Sequence, residues 1–83
     1  MLFATKVGAI EFDIEHDDVR VAVVRVGQGR PAVLELQEVH ATYENPEERF
    51  DALVQAVDEA VSGLEAHPAA FVLCAPTRYS VVR

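Results

Sequence analysis

The chain has 83 residues, of which 51% are apolar and few are aromatic, and it carries a net charge of −7. A chain of this length makes one domain, near the lower end of what folds alone, with about 60% of its unfolded surface buried and a thin stability margin. With a single lysine, Lys6, and no basic cluster, it lacks the surface that nucleic-acid phosphates require.

No stretch reaches the ~20 apolar residues of a transmembrane helix, and the opening "MLFATK" lacks the pattern of a signal peptide. Cys74 is the lone cysteine, so no internal disulfide forms and a reducing compartment suits the chain. Within the apolar run "FVLCAP" it reads as a buried structural thiol rather than a nucleophile. A soluble, cytoplasmic protein is expected.

Val7 to Ile14 sets Ile10, Phe12 and Ile14 at period two, alternating with Ala9, Glu11 and Asp13, the pattern of a half-buried strand. Val19 to Val26 is β-branched and nearly continuous, which suits a strand covered on both faces for part of its length. Glu15 to Asp18 then closes a hairpin. The run Gly27-Gln28-Gly29-Arg30-Pro31 is a second turn, because glycine accepts the positive φ of tight connections. Ala32 to Ala41 forms a third strand, and Glu35, Gln37 and Glu38 place it at an edge, where charge discourages stray pairing.

The pattern changes at "YENPEERFDALVQAVDEAVSGLEAHP". Asn45 is a suitable N-cap, Pro46 suits the first helical position, and Glu48 can complete a capping box. Phe50, Leu53, Val54, Val57, Val61 and Leu64 recur at helical spacing on one face. The acids Glu47, Glu48 and Asp51 complement the positive end of the helix dipole. Pro68 ends the helix after His67, giving about twenty residues and roughly 30 Å. Ala69 to Ala75 is an apolar run of the kind found in parallel strands buried on both faces, and "TRYSVVR" starts another extended pattern.

These elements predict an α/β (α+β) fold in one domain, residues 1–83, in the order βββαβ. A three-stranded antiparallel meander is followed by one long helix and a parallel fourth strand, with strand order 3-2-1-4. This order resembles a ribonuclease H-like half-fold. One helix covers one face of such a sheet, so the other face stays open and calls for a partner, a second copy or a further domain.

The acidic knot Asp13-Ile14-Glu15-His16-Asp17-Asp18 is the candidate site. With Glu11 it could supply metal ligands, but the spacing lacks the glycine and terminal glutamate of an EF-hand, and a solvated hairpin turn is the stronger reading. Two-metal nuclease chemistry needs further carboxylates, and after the fourth strand stands Ala75-Pro76-Thr77. The nucleotide-binding proteins that share this topology open with Asp, a hydrophobic residue and Gly, so that backbone N–H groups can approach phosphate. Here Asp13-Ile14 keeps the first two positions, but Glu15 replaces the glycine and repels phosphate. Asp13 remains as a degenerate cofactor-site residue. No catalytic residue, metal site or cofactor is assigned.

"FDIEHDDVRVAVVRVGQGRPAVLELQEV", a helix and "FVLCAPTRYSVVR" together resemble the N-terminal part of PilM-like, actin-like ATPases of type IV pilus assembly. Val19-Arg20-Val21, Ala75-Pro76 and Val81-Val82-Arg83 match that layout. The resemblance implies a cytoplasmic assembly role and contact with a protein partner, either in a small domain or in the N-terminal subdomain of a longer protein. Since Glu15 occupies the nucleotide glycine position, a non-catalytic interaction domain is expected, acting on a partner or on itself as a homo-oligomer. Its contacts would run through the open sheet face or the C-terminal strand, with Phe71, Leu73, Tyr79, Val81 and Val82 as interaction residues. The alternative is a fragment of an actin-like ATPase with Asp13 at the phosphate or metal site.

Overall fold

Alternation along the first hairpin decides which side chains meet, since neighbouring residues in a strand point to opposite faces. In the computed structural model, which describes residues 5–27 and 29–74, strands β1 (Thr5–Asp13) and β2 (Asp18–Val26) pair antiparallel. Phe12 stands opposite Val19, Ile10 opposite Val21 and Gly8 opposite Val23. This row faces the helix, and its three valines are fully buried.

Strand β3 (Ala32–His40) pairs antiparallel with β2, and β4 (Ala70–Cys74) lies parallel to β1. The sheet is mixed, in the order β3-β2-β1-β4, as the sequence predicts. Gly27 (φ 98°) and Gly29 (φ 69°) make the β2–β3 connection in the left-handed region, which glycine enters without steric cost. A β-bulge at Val23/Val24 sets Val23 opposite Glu35 but Val24 opposite Val33. Leu34 is the extra residue.

The helix departs from its expected form at both ends. Pro46–Glu48 is a 3-10 turn, and α1 runs only from Arg49 to Ser62, 14 residues. Asn45 makes no side-chain cap; its carbonyl instead accepts the Glu48 N–H at 2.9 Å, and no capping box forms. At the other end α1 stops before Gly63 rather than at His67. The cause lies on β3. The Glu35 carboxylate accepts the backbone N–H groups of Glu65 and Ala66 at 3.0–3.1 Å, while Gln37 Nε2 donates to the Gly63 carbonyl at 3.2 Å. These bonds take up backbone groups that a longer helix would have used within itself.

The buried line of the helix is also displaced from its stripe of large apolar residues. Ala56 and Ala60 sit deepest, against Val19 and Val21, with Leu53, Val57, Val61 and Leu64 half-buried beside them. Small residues let a helix seat close to the sheet. Phe50 remains 74% exposed and Val54 is exposed as well. The main contacts of α1 are with β2 and β3; Ile10 and Phe12 of β1 pack at the margin of its core, and among the described residues nothing covers β4.

Strand β4 reads from sequence as buried on both faces, yet it forms the sheet edge and Ala70 to Leu73 are all exposed. Its burial is not supplied by the described residues. One side chain of β4 is nonetheless held down. The ring of Phe71 lies over Gly8, where any Cβ would collide with it.

Val21→Ala removes two methyl groups from the fully buried row beneath α1. The expected loss is about 2–3 kcal/mol of stability, and a fall in melting temperature on the order of 10 °C. Thermal denaturation checks it.

Candidate functional site

The knot is a turn. Its residues Ile14–Asp17 link β1 to β2, and its polar groups are largely engaged by the chain itself. Asp13 ends β1; its Oδ1 accepts the His16 N–H at 3.3 Å and its Oδ2 lies 3.0 Å from His16 Nδ1. The His16 side-chain bond, followed by the backbone bonds, holds the Asp13 carboxyl below its usual range.

Asp17 does more. It adopts φ 56°, in the left-handed region, where Asp and Asn occur far more often than other non-glycine residues. From there its carbonyl accepts the Ala41 N–H at 2.8 Å. Its carboxylate accepts the Tyr43 hydroxyl at 2.7 Å and Arg49 Nε at 2.7 Å. Arg49 also donates to the Ile14 carbonyl at 2.7 Å. One acidic residue therefore ties the first hairpin to the end of β3, to the β3–α1 connection and to the first residue of the helix. The Tyr43 and Arg49 hydrogen bonds depress the Asp17 carboxyl, and the same Asp17 contact pushes the Tyr43 phenol up.

A second polar group crosses the open sheet face. Glu11, Arg20 and Glu38 are register partners on three adjacent strands. Arg20 reaches Glu38 at 2.7 Å and Glu11 at 3.0 Å, with Asp13 Oδ2 at 3.8 Å. Next to this row, His40 Nδ1 lies 2.8 Å from Asp18 Oδ1 across the β2–β3 pair. These exposed pairs fix strand register more than they stabilise. Arg25 has no ion pair among the described residues. Among the described residues no group of three or more His, Cys, Asp or Glu side chains is placed to hold a metal ion.

Two apolar surfaces remain. On the open face, beyond the Arg20 row, the register gathers Ala9, Ala22, Val24, Leu36, Val33 and Val72, with Leu36 60% and Val33 67% exposed. On the helix side, a groove of ≈ 860 Å³ runs between α1 and the β1–β4 half of the sheet. Phe50, Val54 and Val57 form its helical wall, and Phe12 and Leu73 its floor. Cys74 lines this groove half-buried, rather than lying in the core.

The sequence-expected residues divide accordingly. Phe71 and Leu73 both reach the surface on β4, Leu73 at 70% exposure. Tyr79, Val81 and Val82 lie outside the described residues, as do Thr77 and Arg78. His67 lies five residues beyond the end of α1 and so does not cap it. The linking roles of Asp17, Tyr43 and Arg49 were missed by sequence reasoning, because the three are far apart in the chain and each is ordinary for a loop or helix start. So was the grip of Glu35 and Gln37 on the α1–β4 connection. No helix among the described residues is long and apolar enough to cross a membrane. No protein-family model matches the chain, and neither a curated protein nor a solved structure matches it significantly.

The Asp13 and Asp17 carboxyls are held below their ordinary values, and so is that of Glu35, which accepts the Ala66 and Glu65 N–H groups. Depressed carboxyls contribute stability that is present above the unfolded value and lost as pH falls through the folded one. The protein should therefore lose melting temperature on acidification below these ordinary values. Asp17→Asn keeps the left-handed turn but removes the charge. It should melt lower than the parent at neutral pH, with a shallower acid limb. Parallel acid limbs in the two proteins would show that Asp17 contributes no linked protonation.

Proposed function

We propose that this chain is a non-catalytic protein-interaction and assembly domain of the cytoplasm, of the kind implied by its resemblance to the N-terminal part of PilM-like proteins. The observation that carries this reading is the amount of apolar surface that the described residues leave bare. A mixed sheet normally has both faces covered where its strands are apolar on both sides. Here one helix of 14 residues covers about half of one face, and the other face exposes Val33, Leu36 and Val72. Contiguous apolar surface of this sort marks binding sites for other proteins.

The polar groups favour the same reading. Asp13 is the residue through which a nucleotide would be held, and its carboxylate is engaged by His16, with Arg20 nearby. Asp17 is committed to Tyr43 and Arg49. Side chains occupied in this way serve the turn, whereas the apolar surfaces have no such employment within the described residues.

If Leu36 belongs to an interaction surface, Leu36→Asp changes the stability of the isolated domain by no more than about 0.5 kcal/mol. A loss of several kcal/mol in denaturant unfolding would mean that the chain covers Leu36 itself, and the reading would be abandoned. Calorimetric titration with Mg·ATP should give no binding heat. Heat that disappears in Asp13→Asn would instead assign the chain to nucleotide binding.

A further inference from the structure

The two edges of the sheet are built differently. Strand β3, nine residues long, carries Glu35, Gln37 and Glu38 and a bulge at Leu34, opposite Val23/Val24. Charge and bulging are devices that keep an edge from pairing with another chain. Strand β4 carries neither. It reads Ala-Phe-Val-Leu-Cys without a charged residue or a proline, and its length of five residues is ordinary for a paired strand. Phe71, Val72 and Leu73 are exposed, and among the described residues nothing pairs with its outer side.

Charge placement narrows the choice of partner. A chain of net charge −7 repels a second copy wherever its acids cluster. Most of those acids lie in the knot, on β3 and around α1; near β4 stand Glu11, the register neighbour of Cys74, which is paired with Arg20, and Asp58 in the groove. Residues 68–74 carry no charge at all, so a second copy meets least repulsion there. A basic partner, by contrast, would be steered to the other surfaces, since β4 offers it nothing to pair with.

We propose that β4 pairs antiparallel with β4 of a second copy about a two-fold axis at Val72, joining two four-stranded sheets into one of eight strands. This rests on the interaction reading above and names the partner. The strand is self-complementary in that register. With Val72 opposite itself, all five residues find a counterpart, and Phe71 stands across from Leu73 of the second copy, twice, on the helix side. Main-chain hydrogen bonds supply the affinity of such added strands, and alternate side chains the specificity. A two-fold contact requires one patch to fit itself. Leu73, the exposed floor of the groove, gains the edge of a Phe71 ring, which Gly8 already holds against the sheet. The groove of each copy then opens beside the axis and is partly closed by the other.

Light scattering after size exclusion at micromolar concentration is expected to give about twice the 9.1 kDa of one chain. In a Cys74→Ser background, Val72→Cys should form a disulfide-linked dimer on mild oxidation. Val33→Cys, on the same face but at the opposite edge, should stay a single chain. Leu73→Lys places a lysine on the edge strand at both ends of the paired segment, which opposes strand pairing, and should return the mass to one chain that still unfolds cooperatively, with a melting temperature that no longer depends on protein concentration. A strict monomer overturns the proposal. A dimer that links through Val33→Cys but not Val72→Cys, or that survives Leu73→Lys, also overturns β4 pairing, yet leaves the interaction reading standing on the open face.

Discussion

The close seating of α1 on β2 governs the rest of this molecule. Ala56 and Ala60 are small enough to bring the helix down onto Val19 and Val21, and the three inward valines of β2 are completely sealed as a result. Dense packing of this type is short-ranged, since dispersion falls away within an ångström of contact. A helix locked over β2 and β3 reaches β1 only at Ile10 and Phe12 and does not extend to β4. The groove beside α1, the exposure of Phe50 and Val54, and a β4 edge left unpaired among the described residues are the other side of that same contact.

Polar contacts at the two ends of α1 fix where along the sheet it sits. At its start, Arg49 is held by the Asp17 carboxylate and the Ile14 carbonyl. At its end, Glu35 and Gln37 take up the backbone groups of residues 63 to 66. The two anchors use opposite ends of the meander, one in the β1–β2 turn and one on β3. Between them they set the tilt and length of α1, while the alanines set its height. A chain of 83 residues has little core to spare, and such anchors restrict the helix to one placement without enlarging it.

The acidity of the chain takes on a structural sense in this setting. Asp17 accepts hydrogen bonds from a phenol and a guanidinium, Glu35 from two backbone amides, and Glu11 and Glu38 from one arginine. These carboxylates act as connectors between segments. Most of the other acids lie around the helix and turn, away from the uncharged residues 68–74 of β4 and its approach. Exposed charge and exposed apolar surface are thus sorted to different parts of one small domain, which concentrates the capacity for association where repulsion is weakest.

Much of the architecture was legible in the residues themselves. The period-two strands, the glycines at 27 and 29, the helical stretch after Pro46 and the apolar run before Pro76 determine the element order, and the need to cover apolar strands implies an open face. These are local properties, decided by each segment's own backbone preferences and side-chain alternation. The helix limits, the line along which it is buried and the duties of Asp17 and Glu35 were decided only in the folded chain. Each depends on groups that lie about thirty residues apart in sequence and meet only once the sheet has formed, and no local pattern encodes such a meeting. The large residues Phe50 and Val54 mark a helix face plainly, but which part of that face touches the sheet follows from the smaller alanines and from where the anchors hold the two ends.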